Sequence, residues 1–534
     1  MKITFLSGIF ERATNKEVVR CNPSIAYYWL RSFFETTKPH LKNKVTWSRP
    51  LYFEEKIEDY VSYILKENPD ILCSTLYIWN VDLHYLICKK VKESNPKIKI
   101  VFGGPEIDAR NIGSNFDRFP LVDAVVYGDG EESFAEIIEQ FIKTGKITEG
   151  INRATSKKCT GHYKRFQYKD YPPYSFFSSF GKELKEDWEG IKKKFGAKKI
   201  QLATEYMRGC SYGCTFCDWS AGLHHKVTKR EKETIKQELD FLQDLLGEEV
   251  SLWWCDANWG LGKHYDELTN YVIEKGMQST LGNWTKINKW QAFELWKKHI
   301  VSDDLMGKKY IAMQSPKQET LDAIKRPEEF TWDEQLEYIQ AHDDFIKELN
   351  DSGKFKIKRM MFFEFIHDLP LMTLEDYKKI FRDMNRFVNC NLHFYNWIYL
   401  PNSPAAKPGY LEKYDLEVVE VEDLSEINND FSKTNKKTRI IVDKTKLSER
   451  MFVKLMTYFY NYKTENSVRS KESQQIIANH MDEIYDIAEK LAKTQTKQFN
   501  GQWSDSFKIG DRIVSNEDFF NLIYTRQIRK LLKF

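Results

Sequence analysis

RGCSYGCTFCDW, residues 208–219, is the stretch of sequence that decides the fold. It places Cys210, Cys214 and Cys217 within eight positions of a chain that has only 9 cysteines in 534 residues. A structural zinc site normally needs four protein ligands in a closed tetrahedron, and this stretch supplies three. Three thiolates with the spacing C-x-x-x-C-x-x-C can instead bind three irons of a [4Fe-4S] cluster, which leaves the fourth iron open to a small chelating molecule.

The overall composition limits the class of protein to which these cysteines belong. Hydrophobic residues make up 41% of the chain and charged residues 30%, and no apolar run approaches the roughly 20 residues of a membrane span. The formal charge of +3 gives no support for a nucleic-acid partner. An odd number of mostly scattered cysteines argues against a secreted disulfide framework, and the N-terminal stretch is typical of a first strand rather than of a signal peptide. We therefore expect a cytoplasmic protein without a membrane partner.

Residues 1–145 alternate short apolar runs with amphipathic stretches, a pattern typical of a parallel sheet with crossover helices. The five predicted strands are KITFLSG (2–8), KVTWS (44–48), DILCSTLYI (70–78), KIKIVFGG (97–104) and VDAVVYG (122–128). The expected fold class is α/β, with a doubly wound, flavodoxin-like sheet that binds ligands at the carboxyl edge of its strands. Two of those edges carry glycine turns, FGGPE (102–106) and YGDGEES (127–133), which we interpret as the rim of a cofactor site.

A second β/α region follows residues 146–197, which lack sustained periodicity and are interpreted as a linker. The strands predicted between residues 198 and 401 are 198–206, 249–257, 279–284, 308–315, 356–366 and 391–400. Six strands, each paired with a helix, indicate a partial (β/α)6 TIM-like barrel whose active edge is the C-terminal end of its strands. The three cysteines follow the first of these strands. Residues 402–534 are predicted to form a small, mainly helical C-terminal domain.

At this point the chain resembles the cobalamin-dependent radical SAM enzymes, which cleave S-adenosylmethionine (SAM) on a [4Fe-4S] cluster. The resemblance covers about residues 1–410 and rests on RGCSYGCTFCDW, CDANWG (255–260), SPKQETLDAIKR (315–326), LPNSPA (400–405) and the two glycine turns. It implies that the three cysteines hold the cluster and that the first sheet binds cobalamin. The implied cofactor contacts on the glycine turns are Gly103, Gly104, Glu106, Gly128, Gly130 and Glu131.

The same resemblance implies SAM contacts on the barrel. The end of the second strand usually meets the SAM amino group in this family, which indicates Asp256 or Asn258, although either residue also suits the cap of the following helix. Gln314 and Ser315, at the end of the fourth strand, are implied contacts of the ribose or the carboxylate. The backbone of Phe216 is an implied adenine contact.

The charge of the second glycine turn gives a reason to prefer a corrin over a nucleotide as its ligand. Asp129, Glu131 and Glu132 lie where a helix begins and suit its positive N-terminus, but they would repel a di- or triphosphate. A corrin offers many neutral amides and only one phosphate. The alternative is a glycine turn whose carboxylates serve helix stability alone.

One motif is incomplete. Asp82 and His84 begin like the D-x-H-x-x-G element in which a histidine becomes the lower axial cobalt ligand, but Ile87 stands where glycine is required. We interpret His84 as a surface residue of the predicted third helix. If a corrin binds, we expect its cobalt to lack a histidine ligand from this chain.

The barrel departs from the family at IHDLPLMT (366–373), where Asp368 and Leu371 occupy positions that the family fills with glycine. We therefore expect the adenine contact or the shape of the cleft to differ. Several polar side chains interrupt the apolar barrel strands, and each is either a satisfied core group or a substrate contact, because buried charge is costly unless paired. They are Glu205, Glu364, His367, His393 and Tyr395. Tyr395, as a donor of a proton or hydrogen atom, and Glu364 are the candidate catalytic residues.

The function that the resemblance implies is methylation of an unactivated carbon. One SAM would methylate cobalamin, and a second would yield a 5′-deoxyadenosyl radical that activates the substrate for transfer from methylcobalamin. Two alternatives stay open: a cobalamin-using radical SAM enzyme that catalyses a rearrangement or cyclisation, and a zinc-binding interaction protein without catalytic activity. The expected partners are a small-molecule or peptide substrate and an external electron donor of the flavodoxin or ferredoxin type.

Overall fold

The computed structural model describes most of the chain. The described residues are 1–6, 20–21, 25–49, 51, 56–78, 80–159, 162–173, 180–196, 198–221, 226–257, 264–281, 290–302, 308–354, 359–422, 437–465, 471–498, 506–509 and 512–515. Short 3-10 turns within them lie at Pro39–Lys44, Tyr168–Asp170, Gly247–Glu249, Pro404–Ala406 and Lys444–Lys446. No helix in this described part of the chain combines the length and the apolar content needed to span a bilayer.

The N-terminal region is a doubly wound parallel sheet. Its elements are β1 (Lys2–Leu6), β2 (Arg20–Cys21), α1 (Ile25–Thr37), β3 (Thr46–Trp47), α2 (Ile57–Glu67), β4 (Ile71–Thr75), α3 (Val81–Ser94), β5 (Lys99–Gly103), α4 (Ile112–Arg118), β6 (Ala124–Val126), α5 (Glu131–Thr144) and β7 (Arg153–Ala154). The described strands of this first sheet follow the order β3-β1-β4-β5-β6-β7, and only β7 is antiparallel among them. The predicted parallel strands are confirmed, in the flavodoxin-like order.

Helices cover both faces of the first sheet. Ile3 and Phe5 of β1 pack with α1 and α5 in one apolar core, whereas Leu72 and Phe102 pack with α2 and α3 in another. The first of these cores continues into the barrel, where it includes Trp188 and strand and helix residues that follow it. The sheet and the barrel therefore share a continuous interior.

The barrel begins after a further helix, α6 (Gly181–Phe195). Its elements are β8 (Lys199–Thr204), β9 (Met207–Arg208), α7 (Asp218–Ala221), β10 (Thr228–Lys229), α8 (Lys232–Leu246), β11 (Val250–Trp254), α9 (Tyr265–Glu274), β12 (Gln278–Leu281), α10 (Trp290–Ser302), β13 (Lys308–Ala312), α11 (Gln318–Ala323), α12 (Trp332–Asp351), β14 (Met360–Ile366), α13 (Leu374–Met384) and β15 (Cys390–Tyr395). Each barrel strand predicted from the sequence is present. They form two parallel arcs, β12-β11-β8 and β13-β14-β15, and β2 extends the first arc by pairing with β8.

The C-terminal region contains the expected helices together with short strands. Its elements are β16 (Trp397–Ile398), α14 (Tyr410–Lys413), β17 (Glu417–Glu422), β18 (Lys437–Val442), α15 (Leu447–Glu465), α16 (Lys471–Asn479), α17 (Met481–Gln498), β19 (Ser506–Ile509) and β20 (Arg512–Ser515). Phe452 and Met456 of α15 pack in the same core as Ile380 and Phe381 of α13. This helix is therefore anchored on the second half of the barrel.

Residues 146–197, interpreted above as a linker, contain β7 and α6. Trp188 of α6 is fully buried, and its Nε1 donates to Glu249, immediately before β11, at 2.6 Å. The segment therefore carries regular structure that packs on the barrel. The division of the chain into parts at residues 145, 197 and 401 stays a prediction.

Candidate functional site

The three cysteines lie on the loop of residues 209–217, here called the cluster loop. Cys210 and Cys214 are buried and Cys217 is half-buried, and the amide of Cys217 donates to the carbonyl of Cys214 at 3.2 Å. Within the described residues, no group of three or more His, Cys, Asp or Glu side chains is arranged to hold a metal ion. In a cubane cluster, each thiolate binds a different iron.

Thr215 fixes the middle of the cluster loop. Its amide donates to the carbonyl of Ile324 at 2.8 Å, and its carbonyl accepts from the amide of Ala405 at 2.9 Å. Its hydroxyl lies 3.0 Å from the hydroxyl of Tyr410, which donates to the carbonyl of Ala323 at 3.1 Å. Burial raises the pKa of Tyr410 to about 12, so the phenol stays protonated as a donor. The loop is thus held between α11 and the segment that follows β15.

Phe216, the implied adenine contact, packs its side chain against the core of the second arc of the barrel. This contact orients the backbone between Cys214 and Cys217. The proposed contact between that backbone and adenine stays a prediction.

Asp256 lies at the end of β11 and is fully buried. Its carboxylate accepts from the amides of Tyr206 and Met207 at 3.1 and 2.6 Å and from the hydroxyl of Tyr265 at 2.9 Å. Burial, and secondly the neighbouring Glu205 carboxylate, raise its pKa to about 7. Asp256 therefore secures the chain that enters the cluster loop, and its implied contact with SAM stays a prediction. The alternative, Asn258, lies outside the described residues.

Gln314 and Ser315 follow β13, at the carboxyl edge of the barrel. Gln314 has a φ of 70°, in the left-handed region that a side chain rarely adopts, and its Oε1 is buried without a hydrogen-bond partner. Ser315 instead bonds within its own turn, where its hydroxyl accepts from the amide of Lys317 at 3.0 Å. A strained backbone and an unsatisfied buried acceptor at a strand end favour Gln314 as a ligand contact.

The glycines of the first turn permit a close approach of two loops. Gly104 has a φ of 100°, and a Cβ at this position would lie 2.5 Å from the carbonyl oxygen of Leu76. The carbonyl of the adjacent Gly103 accepts from the amide of Leu76 at 2.7 Å. Glu106 is buried and paired with Arg118 at 2.8 Å. The turn is therefore packed against the end of β4 at Gly104, where no side chain can be accommodated.

The second turn is packed as tightly. Gly128 has a φ of 70°, and a Cβ there would lie 2.4 Å from the ring of Tyr163. Gly130 is the N-terminal cap of α5.

The carboxylates of the second turn bind arginines from later in the chain. Asp129 accepts from Arg165 at 2.5 and 2.6 Å, and Glu131 accepts from Arg208 at 2.7 Å. Burial raises the pKa of Glu131. Because the arginines compensate these charges, the turn repels anions less than the sequence argument assumed. Sequence reasoning missed both arginines, although Arg208 stands directly before Gly209 and Cys210 in the opening motif.

Glu364, His393 and Tyr395 lie on one face of the second arc. Glu364 of β14 is paired in register with His393 of β15, and Tyr395 lies two residues further along the same face. Glu364 and His393 are half-buried, whereas Tyr395 is 43% exposed. The rings of His393 and Tyr395 stack with centroids 5.9 Å apart. The structure therefore brings the two candidate catalytic residues together on adjacent strands.

The other two polar residues, predicted on strands, are buried and lie immediately after the ends of β8 and β14. Glu205 accepts from the hydroxyl of Tyr168 at 2.8 Å and from Arg208 at 3.1 Å, as a paired interior group. His367 is buried, and its Nδ1 has no hydrogen-bond partner. Burial and the nearby charges of Arg450 and Lys454 lower the pKa of His367 well below its usual range.

The departure at residues 366–373 keeps the backbone that glycine would adopt. Asp368 and Leu371 have φ values of 57° and 66°. Asp368 is buried and forms an ion pair with Arg450 of α15, which also bonds to Asn396. The loop therefore differs from the family pattern in its side chains and keeps a left-handed backbone at both positions.

The interpretation of His84 as a surface residue is wrong. His84 lies on α3 as expected, but its ring is buried against β4, where Nδ1 lies 2.6 Å from the hydroxyl of Ser74. Burial lowers its pKa to about 4. The prediction fails because a neutral histidine ring can serve as a core group when one hydrogen bond satisfies its polar edge.

Known proteins resemble this chain in sequence. A family model for the B12 binding domain matches residues 46–138, a range that contains both glycine turns. The cobalamin-dependent radical SAM methyltransferase TokK of Streptomyces tokunonensis is 25% identical over 392 residues, 69% of this chain and 52% of that protein. The 2-(S-pantetheinyl)-carbapenam-3-carboxylate methyltransferase of Streptantibioticus cattleyicolor is 25% identical over 309 residues, 56% of this chain and 43% of that protein. The chain spans about half the length of these curated relatives.

The fold is shared with solved structures as well. One of them is the cobalamin-dependent S-adenosylmethionine radical enzyme OxsB with aqua-cobalamin and S-adenosylmethionine bound, which has a TM-score of 0.57 at 12% identity. The match covers 100% of this chain and 75% of the OxsB chain. The chain is related to the cobalamin-dependent radical SAM enzymes. The radical SAM methyltransferase TsrM from Kitasatospora setae, with cobalamin and a [4Fe-4S] cluster bound, has the same fold, with a TM-score of 0.53 at 11% identity. This match covers 93% of the present chain and 100% of the TsrM chain. The resemblance inferred from the cysteine motif and the glycine turns is thus confirmed.

Proposed function

We propose that this relative of the cobalamin-dependent radical SAM enzymes is a methyltransferase that acts on an unactivated carbon. The observation that carries the proposal is the junction between the cluster loop and the B12-binding region. Arg208, immediately before the loop, binds Glu131 of the second glycine turn at 2.7 Å. Two regions with the motifs of different cofactors therefore meet at one place, as a reaction that uses both requires.

The residues present fit the three cofactors. Cys210, Cys214 and Cys217 would hold a [4Fe-4S] cluster, and Gln314 presents a buried acceptor for SAM. When bound, the cluster supplies the electron that cleaves SAM, and cobalamin carries the methyl group that is transferred. The tightly packed turn at Gly104 would present backbone groups to the corrin without side chains in between.

The chain's own polar residues would handle the substrate. Tyr395 is partly exposed and can donate a proton or hydrogen atom, while Glu364 on the adjacent strand can accept a hydrogen bond and orient the substrate. A small molecule or a peptide is the proposed substrate, and a flavodoxin or ferredoxin the proposed electron donor.

Methyl transfer is favoured over rearrangement by the curated relatives. Both proteins described above are named methyltransferases. In the test, methyl-labelled SAM is offered with candidate substrates, and products are analysed by mass spectrometry. A gain of one methylene unit carrying the label is the expected result, and an isomer of unchanged mass would contradict methyl transfer.

The cofactor assignment is tested by reconstitution of the chain without oxygen, followed by quantification of iron, sulfide and corrin. We expect iron–sulfur absorbance, bound cobalamin and release of 5′-deoxyadenosine from SAM. Cys214→Ala is expected to lose iron and SAM cleavage, because one of three cluster ligands is absent. The matched control is Cys390→Ala, since Cys390 lies at the start of β15, outside the motifs quoted above, and its Sγ is 3.1 Å from the hydroxyl of Tyr460. A colourless preparation with a single zinc ion would contradict the proposal.

A further inference from the structure

Arg208 joins the start of the cluster loop to the second glycine turn. It lies two residues before Cys210, and its guanidinium is buried among carboxylates from both parts of the chain. Besides the bond to Glu131, it donates to Asp129 at 3.2 Å and to Glu205 at 3.1 Å. The carboxylates of Asp129 and Glu131 belong to the first sheet, and that of Glu205 to the barrel.

The surroundings of Arg208 hold it in one orientation. Its guanidinium lies over the ring of Trp29 on α1 at 4.5 Å from the centroid, and one nitrogen donates to the hydroxyl of Tyr168 at 3.0 Å. Arg165, which binds Asp129, also donates to the backbone carbonyl of Arg208 at 3.0 Å. Charge-assisted bonds with bidentate geometry fix distance and direction more firmly than neutral ones.

Asn402 joins the first glycine turn to the other end of the cluster loop. Its buried side-chain amide accepts from the amide of Ala109 at 3.0 Å and donates to the carbonyls of Pro105 and Ile107 at 3.3 and 2.9 Å. Three residues later, Ala405 donates to the carbonyl of Thr215, which lies between Cys214 and Cys217. Both polar atoms of the Asn402 side chain therefore bind residues 105–109, a segment that begins in the turn.

The two residues act at opposite ends of one loop. Arg208 fixes the side of Cys210 to the turn at residues 127–133. Asn402 fixes the side of Cys214 and Cys217 to residues 105–109, which begin in the first glycine turn. Because both glycine turns belong to the same rigid sheet edge, the loop cannot shift relative to that edge without breaking one of these sets of buried bonds.

We infer that Arg208 and Asn402 are positioning residues that set the separation between the cobalamin and the [4Fe-4S] cluster. The inference rests on the proposed function and assigns these residues no contact with either cofactor. Reactions that need both cofactors depend on their separation, since a displacement of about 1 Å can lower a rate by about a hundredfold. Reactions of the cluster alone do not depend on it.

The test compares Asn402→Ala with Asn389→Ala in the reconstituted full chain. Asn389 is a matched control, because it is also buried and its side-chain amide makes three bonds, two to Asp343 at 3.1 and 3.5 Å and one from Asn350 at 3.3 Å. These bonds lie next to the start of β15, and none of them involves a glycine turn or the cluster loop. The magnetic interaction between Co(II) in cobalamin and the reduced cluster is measured by electron paramagnetic resonance. Asn402→Ala is expected to broaden or lengthen the distance distribution, whereas Asn389→Ala keeps that of the wild type.

The second readout compares two reactions of SAM without substrate. Transfer of the SAM methyl group to reduced cobalamin needs both cofactors, and we expect it to slow about tenfold in Asn402→Ala. Formation of 5′-deoxyadenosine needs only the cluster and is expected to stay near the wild-type rate. Arg208→Lys, which keeps one positive charge but loses the forked geometry, is expected to fall between wild type and Arg208→Gln in both the distance and the transfer rate.

The outcomes separate the inference from the proposed function. If the wild type binds both cofactors and Asn402→Ala keeps the wild-type distance and transfer rate, the inference is wrong and the proposed function stands. An equal change in Asn389→Ala would also overturn it, because a general loss of packing would then explain the effect. A wild-type chain that binds no cobalamin or no cluster overturns both.

Discussion

At the scale of single residues, His84 shows how burial converts a titratable group into a pH-dependent contribution to stability. Its pKa is about 4 in the folded chain, below the ordinary value of 6.5. Between these values the unfolded chain binds more protons than the folded chain, so stability falls as the pH drops through this window. The contribution of His84 to the free energy of unfolding is fully present above about pH 6.5. About 2 kcal/mol of it is lost when the pH reaches about 5.

The measurement compares wild type with His84→Gln by calorimetry at about pH 7 and about pH 5. At the higher pH, we expect the variant to be less stable by about 1 kcal/mol or more, because it repacks the site and changes the bond to Ser74. At the lower pH the difference should shrink or change sign, since glutamine does not titrate. A difference that is the same at both values would contradict the assignment of a buried, neutral ring.

Leu371 carries a second prediction at this scale. It has a φ of 66° and is 46% exposed, so it bears the cost of a left-handed backbone without the gain of burial. Leu371→Gly is therefore expected to stabilise the chain by about 1 kcal/mol, measured as a higher midpoint of thermal unfolding. Leu374→Gly, in the first turn of α13, serves as the control and should lower the midpoint. A lower midpoint of thermal unfolding in Leu371→Gly would mean that the leucine side chain contributes packing at the barrel mouth.

The sequence was informative about residues where a motif sets chemistry and uninformative where a partner lies far along the chain. The spacing of Cys210 to its two neighbouring cysteines is enough to predict a cluster-binding role. By contrast, the partners of Asp368 and Glu131 stand 82 and 77 positions away, and no local pattern indicates such pairs. Charge compensation between distant residues is a property of the fold, so the sequence overstates how strongly the acidic turn repels anions.

At the scale of elements, periodicity predicted the parallel strands of the first sheet and of the barrel, because they carry short, largely buried apolar runs such as those of β1 and β14. It missed β2 and β7, which are two residues long and too short to show a period. It also missed that β2 leaves the first sheet to pair with β8, since register across about 180 positions is not encoded locally.

The cluster loop provides a prediction at this scale. Tyr410→Phe removes the hydroxyl between Thr215 and the carbonyl of Ala323 and leaves polar groups of two elements without that partner. We expect local opening of the loop to become easier by about 1 kcal/mol, which corresponds to about fivefold faster hydrogen exchange at the amide of Thr215. Exchange is measured by mass spectrometry on the full chain. Tyr414→Phe is the control, because its ring contacts that of Tyr410 at 5.2 Å without replacing this hydroxyl; equal protection in both variants would contradict the role of Tyr410.

At the scale of the whole molecule, the catalytic edge is held by parts of the chain on either side of the barrel. The first sheet contacts the cluster loop through Arg208 and Asn402, and α15 contacts the loop after β14 through Arg450. The alternation of apolar and amphipathic stretches predicts separate parts of the chain, but it gives no indication that two apolar cores extend across the expected boundaries. Such shared cores make the relative placement of the parts a matter of side-chain packing rather than of linker length.

The ion pair of Asp368 and Arg450 provides the prediction that belongs to this scale. Both side chains are buried, so Arg450→Ala leaves a carboxylate in the interior without its cation and is expected to destabilise the barrel by about 3–5 kcal/mol. In an Asp368→Gly background the same substitution should cost far less, because glycine adopts the φ of 57° readily and leaves no buried charge. Stability is measured by hydrogen exchange in β14 and β15 for four proteins: the wild type, the two single variants and the double variant. Arg386→Ala, an exposed arginine beyond α13, is the control. If Arg450→Ala destabilises the chain equally in the wild-type and Asp368→Gly backgrounds, α15 does not stabilise the barrel mouth through this ion pair.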